Sequence, residues 1–280
     1  MRIVVTGAAG QLGQAVVERF AREHDVTALP RQALDLARHD DVLRVMAEAR
    51  PEAVVNCAAY NAVDQAEDEA LAALDGNAFA VRSLARACAD AGAVLVHYST
   101  DFVFDGEADT PYTEEDPPGP KSVYGQSKLV GEWFARDVPR WYVLRVESLF
   151  GGPNPRSSVD RIIDSLRKGH DARVFTDRVV SPSYVDDVAE GTAALLRTGA
   201  PTGLYHCVND GYATWHELGL EIARQLGAAP RLVPVTMAAT PMRAPRPRFC
   251  ALSNRKLAAA GVAMPSWQDA IRRYLRRRPA

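Results

Sequence analysis

The chain has 280 residues, 47% of them hydrophobic and 24% charged, which suits one large soluble domain or two linked ones with a sizeable core. A net charge of −2 excludes a global field for nucleic acid or an anionic membrane surface, so the expected partner is a small molecule. Four scattered cysteines, Cys57, Cys88, Cys207 and Cys250, form no CxxC pair; neither a disulfide framework nor a zinc site is expected, and no carboxylate spacing singles out another metal.

The opening run MRIVVTG is strand-like and too short for a signal peptide or a membrane span, which points to a cytoplasmic enzyme or binding protein. Apolar runs then alternate with helical patterns: RIVVTG and QLGQAVVERFA, DVTAL and DDVLRVMAEA, AVVNCA and AFAVRSLARACADA, VLVHYS and VYGQSKLVGEWFA, and finally WYVLRV. Runs without clean alternation predict strands buried on both faces. The series therefore predicts an α/β fold, a doubly wound, Rossmann-like parallel sheet forming a dinucleotide-binding domain over residues 1–150.

Residues 151–280 are less regular. Helical patterns (SSVDRIIDSLRKG, YVDDVAEGTAALL, TWHELGLEIARQLG, SWQDAIRRYLRR) are separated by strand-like VFT, LYHCV and RLVPV, and MAATPMRAPRPRF reads as an extended, proline-rich loop. A smaller mixed α/β substrate domain is expected, interleaved with late elements of the first, with the substrate in the cleft between them. The basic end RRYLRRRPA reads as a solvated helix terminus.

TGAAGQLG follows the first strand and opens the first helix, setting Gly7, Gly10 and Gly13 in a GxxGxxG spacing around Gln11 and Leu12. Glycine allows a tight turn and close backbone approach to a pyrophosphate, whose charge the free N–H groups of a helix start stabilise. The second strand ends at ALPRQ, where an NAD-selective site carries an acid. Arg31 is instead the candidate partner for the 2′-phosphate of NADPH, a solvated loop arginine being the alternative. Asp35 and Leu36, in the LDL that follows, are candidates for the adenosine end. NADPH is the expected cofactor, and NADH stays open.

In SVYGQSK, Tyr124 and Lys128 stand four residues apart, so both project from one helix face toward one ligand. At an effective dielectric near 20 and roughly 4 to 5 Å, the ammonium attracts a phenolate by about 3 to 4 kcal/mol. This is enough to bring a tyrosine pKa from about 10 to roughly 7 or 8 before desolvation acts the other way. Tyr124 is then a candidate proton donor and Lys128 its partner and a cofactor ligand. The fourth strand runs straight into Ser99, Thr100 and Asp101 at its carboxyl end. A hydroxyl there can hold a carbonyl oxygen beside the phenol, where negative charge develops during reduction.

Taken together, these motifs resemble the extended, sugar-nucleotide branch of the short-chain dehydrogenase/reductases. They are most similar to the dTDP-4-dehydrorhamnose reductase family, whose order GAAGQLG, VVNCAAYNAVDQAE, VHYSTDFVFDG, YGQSKLVGE, GLYHCVN and TWHEL matches, with PSWQDAIRRYL near the C-terminus. The resemblance implies that Ala59, Tyr60 and Asn61 line the cofactor site, that Val63 and Asp64 approach the sugar beside Thr100 and Asp101, and that Thr100, Tyr124 and Lys128 are catalytic. It implies a nucleotide-sugar substrate, with a homodimer as an open arrangement.

Two departures stand out. The family pattern RTSW reads RVES here, which puts Ser148 where an aromatic residue contacts the sugar. Related dehydratases carry an acid directly after the Thr-Asp pair; Phe102 holds that place, and no replacement acid is evident in the sequence. An epimerase of the same branch and a non-catalytic NADP-binding regulatory subunit are the alternatives to a reductase.

Overall fold

The computed structural model describes residues 1–278. Its first five strands are the five apolar runs: β1 (Arg2–Thr6), β2 (Asp25–Leu29), β3 (Ala53–Asn56), β4 (Val94–Thr100) and β5 (Trp141–Val146). Between them lie α1 (Gln11–Phe20), α2 (His39–Ala49), α3 (Ala70–Leu74), a π-helical turn at Asp75–Phe79 that continues into α4 (Ala80–Ala91), and α5 (Val123–Ala135). All four residues of β3 and all seven of β4 are buried, which is why neither alternates in polarity.

The second half supplies β6 (Leu149–Phe150), α6 (Ser158–Arg167), β7 (Ala172–Phe175), β8 (Val179–Val180), β9 (Ser183–Tyr184) and α7 (Val185–Thr198). It continues with β10 (Gly203–His206), β11 (Ala213–Thr214), α8 (Trp215–Leu226), β12 (Leu232–Val235), α9 (Arg255–Ala259) and α10 (Trp267–Arg277). The main sheet has the order β2-β1-β3-β4-β5-β10, with every neighbouring pair parallel. The run LYHCV thus returns to the first unit as its sixth strand, and α7 packs beside α1.

Apolar residues cover both faces of this sheet. One cluster joins Ile3, Val5 and Val16 to Ile163, Ile222 and Ile271, running without a break from β1 into the C-terminal helices. A second packs Val42, Met46 and Leu84 against Val4, Val54 and Leu95 on the opposite face. Strand order reverses between β1 and β3, the place where open α/β sheets bind ligands at their carboxyl ends. The glycine loop leaves β1 there, and the segment beginning at Cys57 leaves β3.

Two readings change in three dimensions. The basic terminus is more than a solvated helix end: Arg273 pairs with Asp187 at 2.7 Å, Arg277 with Asp186, and Arg278 with Asp164 at 2.8 Å. Pro279 and Ala280, the last residues of that run, lie outside the described residues. The proline-rich loop is likewise tied down, as described below. Among the described residues no helix is long and apolar enough to cross a membrane.

Candidate active site

Gly7 has φ +65°, a left-handed conformation open to glycine, and a Cβ at Gly13 would stand 2.2 Å from the Gly7 carbonyl oxygen. The loop therefore folds back against the start of α1. Gly10 caps that helix with no side-chain hydrogen bond, and its first turn carries no acid. The first-turn N–H groups are thus available to a phosphate, favoured by the helix dipole.

At the end of β4, Thr100 caps the short turn Asp101–Val103 by accepting the Phe102 N–H at 3.3 Å. Helix α5 begins alongside, with Ser122 accepting the Gly125 N–H at 3.1 Å. Gly125 is needed here, because a Cβ would lie 2.3 Å from the Phe102 carbonyl oxygen. This close approach sets Tyr124 against Phe102, edge to face at 5.5 Å between ring centres.

The electrostatics differ from the expectation of a phenol acidified by lysine. Burial first, then the charge of Asp101, push the Tyr124 phenol above its ordinary value. Burial also lowers Lys128 to about 8, with Glu132 acting the other way. Lys128 Nζ donates to the Tyr98 carbonyl oxygen at 2.6 Å and lies 3.5 Å from His97 Nε2. Desolvation, and not attraction between the pair, leads both shifts. Tyr124 is held as the neutral phenol, the form that can release a proton.

A buried polar line supports Lys128 from below. Asn56 Oδ1 accepts from the Thr6 hydroxyl at 2.7 Å and from the Ala58 N–H at 3.1 Å. Its amide nitrogen therefore faces His97 Nδ1 at 3.0 Å. Burial keeps this imidazole neutral by driving its pKa well down. Asn77, in the π-helical turn, accepts the Tyr60 N–H at 2.8 Å and donates to the Ser127 hydroxyl at 2.9 Å, fastening the segment after β3 to α5.

Gly10, Gln11, Leu12, Ala59, Asn61, Val63, Thr100, Asp101, Tyr124, Lys128 and Ser148 line one cavity of about 330 Å³. The other expected residues stand outside its lining. Gly7 and Gly13 form the loop behind it, and Leu36 is buried in the apolar cluster on the other face of the sheet. Arg31 and Asp35 pair with each other at 3.7 Å on the surface, a contact of little energy. Tyr60 turns its hydroxyl to Glu69 at 2.8 Å. Asp64 holds the proline-rich loop, accepting from the Ala244 N–H at 3.0 Å and from Arg246 at 2.9 Å, while Arg243 pairs with Asp68.

Sequence reasoning passed over several residues here. Glu147 lines the cavity as a buried carboxyl, so an acid absent from the motif at Phe102 is present from the neighbouring strand end. Its partner is the expected Ser148, one of two non-glycine residues with positive φ among the described residues, at 44°, which donates its hydroxyl to Glu147 at 2.9 Å. A second cavity of about 320 Å³ lies between α6, β7 and the start of α8, lined by Arg161, Arg173, Arg178, Phe175 and Trp215. Arg178 also reaches toward the first cavity, with its Cζ 5.8 Å from the Phe102 ring centre.

The family model described as RmlD substrate binding domain matches residues 1–279. The chain belongs to this family. Among its relatives, a probable dTDP-4,6-dihydroxy-2-methyloxan-3-one 4-ketoreductase of Streptomyces antibioticus is 42% identical over 97% of this chain and 94% of its own length. A dTDP-4-dehydrorhamnose reductase of Streptomyces griseus is 39% identical over 96% and 91%. The solved dTDP-4-dehydrorhamnose reductase of Bacillus anthracis, in complex with NADP, superposes with a TM-score of 0.94 at 32% identity, covering 99% of both chains.

For an RmlD-family chain, two of the residues missed by sequence reasoning had a local signal. His97 follows three apolar residues in a fully buried strand, and Asn77 sits on a buried helix face among alanines. A polar group in such a place is normally hydrogen-bonded. Arg178 and Glu147 had none, because each meets the cavity only through tertiary packing.

Proposed function

We propose that the protein is an NADPH-dependent reductase of a nucleotide-bound 4-keto-6-deoxyhexose, dTDP-4-dehydrorhamnose or a close analogue. The observation that carries this reading is the presence of Thr100, Tyr124 and Lys128 on one cavity with Gly10, Gln11 and Leu12 of the glycine loop. The uncapped start of α1 and the glycine contact behind it fit a dinucleotide pyrophosphate. When bound, the nicotinamide supplies the hydride.

The chain's own residues do the rest. Thr100 holds the carbonyl oxygen, Tyr124 gives its proton to that oxygen as charge develops, and Lys128 holds the nicotinamide ribose. Ala59 and Asn61 border the cofactor, and Val63, Asp101 and Ser148 border the sugar. Arg31 exchanges its weak partner Asp35 for the 2′-phosphate, which favours NADPH over NADH.

The cavity with three arginines and two aromatic rings is suited to the nucleoside diphosphate of the substrate, a role consistent with residues 151–280 serving mainly as the substrate domain. Two related reductases carry the names of different dTDP-linked keto sugars. With Ser148 at the position of the family's aromatic contact, the sugar is left less constrained on that side. Leu71, Phe79 and Trp133, exposed on neighbouring helical segments, favour a homodimer through that surface. Free cysteines suit a reducing cytoplasm.

The test is loss of nicotinamide absorbance when purified protein, NADPH and a dTDP-linked 4-keto-6-deoxyhexose are mixed. Tyr124→Phe should lower turnover by about a hundredfold or more while NADPH affinity stays close to wild type. Equal turnover in that variant removes Tyr124 from the chemistry. A steady absorbance with every such sugar points to the regulatory or epimerase alternative.

A further inference from the structure

The reaction as described leaves one buried carboxyl on the cavity wall without a task, that of Glu147. Glu147 follows β5 directly, and the parallel register sets Val146 opposite Thr100. It therefore stands one residue past the partner of Thr100, on the neighbouring strand end. Adjacent strands lie about 4.8 Å apart, so a sugar held at Thr100 has Glu147 at its side.

The side chain is fixed from behind. Its carboxyl accepts the N–H of the fully buried Ser181 and, at 2.9 Å, the Ser148 hydroxyl. Ser148 itself stands in the left-handed region at φ 44°, a conformation that is costly for a serine and that clusters at ligand sites. Arg178 acts on Glu147 through its charge, while a nitrogen of its guanidinium lies 3.8 Å from Cys250 Sγ. Burial and then the charge of Asp101 raise the Glu147 carboxyl well above its ordinary value. A neutral carboxyl both gives and accepts a hydrogen bond, so it can pair with a hydroxyl in either sense.

The carbonyl carbon of a 4-keto-6-deoxyhexose has two ring neighbours. C5 carries the methyl group, and C3 carries a hydroxyl. A methyl group set against Glu147 would leave the open face of a desolvated acid unpaired, whereas the C3 hydroxyl completes its hydrogen bonding. Ser148, small where the family pattern has an aromatic residue, leaves that side of the ring open to the carboxyl. We infer that Glu147 is a substrate-binding residue that hydrogen-bonds the C3 hydroxyl, beside the carbonyl, and thereby selects keto sugars that carry it. This rests on the reading that Thr100 and Tyr124 hold the C4 carbonyl oxygen.

The test compares kcat/KM for a dTDP-linked 4-keto-6-deoxyhexose with that for its 3-deoxy counterpart. Wild type should favour the hydroxylated sugar by about tenfold or more, because the analogue without the hydroxyl leaves a buried polar group unpaired. Glu147→Ala should bring the two sugars to within about threefold of each other, by loss on the hydroxylated one. Glu147→Gln keeps a donor and an acceptor in the same shape and should retain the preference; an indifferent Glu147→Gln contradicts the contact. A role confined to holding Ser181 moves both sugars together and leaves the ratio as in wild type, which also contradicts it.

A wild type indifferent to the C3 hydroxyl overturns the inference whatever the variants do, so the outcome does not depend on a variant that fails to fold. If wild type reduces neither sugar, the reductase reading falls, and the same ratio is read by calorimetric titration of the two sugars into the NADP+ complex. About tenfold tighter binding of the hydroxylated sugar, lost in Glu147→Ala, upholds the contact; equal affinities in wild type overturn it.

Discussion

A methyl group on Gly13 would sit 2.2 Å from the Gly7 carbonyl oxygen, and no flexible side chain is there to yield. Gly13→Ala should therefore force the loop off α1, at a cost of about 1 to 3 kcal/mol typical of overpacking. The expected outcome is a folded protein whose NADPH affinity, measured by fluorescence titration, falls by about tenfold or more. Unchanged affinity would mean that the loop does not meet the pyrophosphate. GxxGxxG and YxxxK were legible in the sequence because each is a local spacing on one element. The state of the Tyr124 proton was not, since it depends on burial under Phe102 and on the charge of Asp101, both contributed by the end of β4.

At the scale of elements, α5 is held to the sheet by one buried ion pair. Arg145 of β5 donates to both oxygens of Glu132 at 2.8 Å, the two side chains are 2% and 0% exposed, and the guanidinium lies 4.7 Å from the Phe104 ring centre. Breaking such a pair leaves a buried carboxylate without its partner. Arg145→Met should lower the unfolding free energy by about 3 to 5 kcal/mol, read as an earlier urea midpoint. A midpoint within error of wild type would show that α5 is anchored elsewhere. The five apolar runs and the long helices were readable from periodicity. The π-helical turn at Asp75–Phe79 was not, and neither were the two-residue strands β6, β8, β9 and β11, which are too short to carry a period.

On the scale of the whole molecule, alternation of runs and helices was enough to predict the parallel sheet, because crossover connections leave little other choice. It did not place LYHCV beside β5, nor fold MAATPMRAPRPRF back onto Asp64 and Asp68, since the first pairs segments from different halves of the chain and the second joins residues more than half the chain apart. Those long-range contacts bring Arg178 and the strapped loop to the same ring, Phe102, at the mouth of the sheet's carboxyl end. The result is one site where a dinucleotide, a sugar and a proton donor can meet, so that hydride can pass between the first two.

The most direct test supplies NADPH deuterated at its transferable position together with a dTDP-linked 4-keto-6-deoxyhexose, and locates the label in the product. One deuterium should appear on the carbon that bore the carbonyl, for each NADPH consumed. An unlabelled product, or an unconsumed cofactor as expected of an epimerase or a binding subunit, would contradict it.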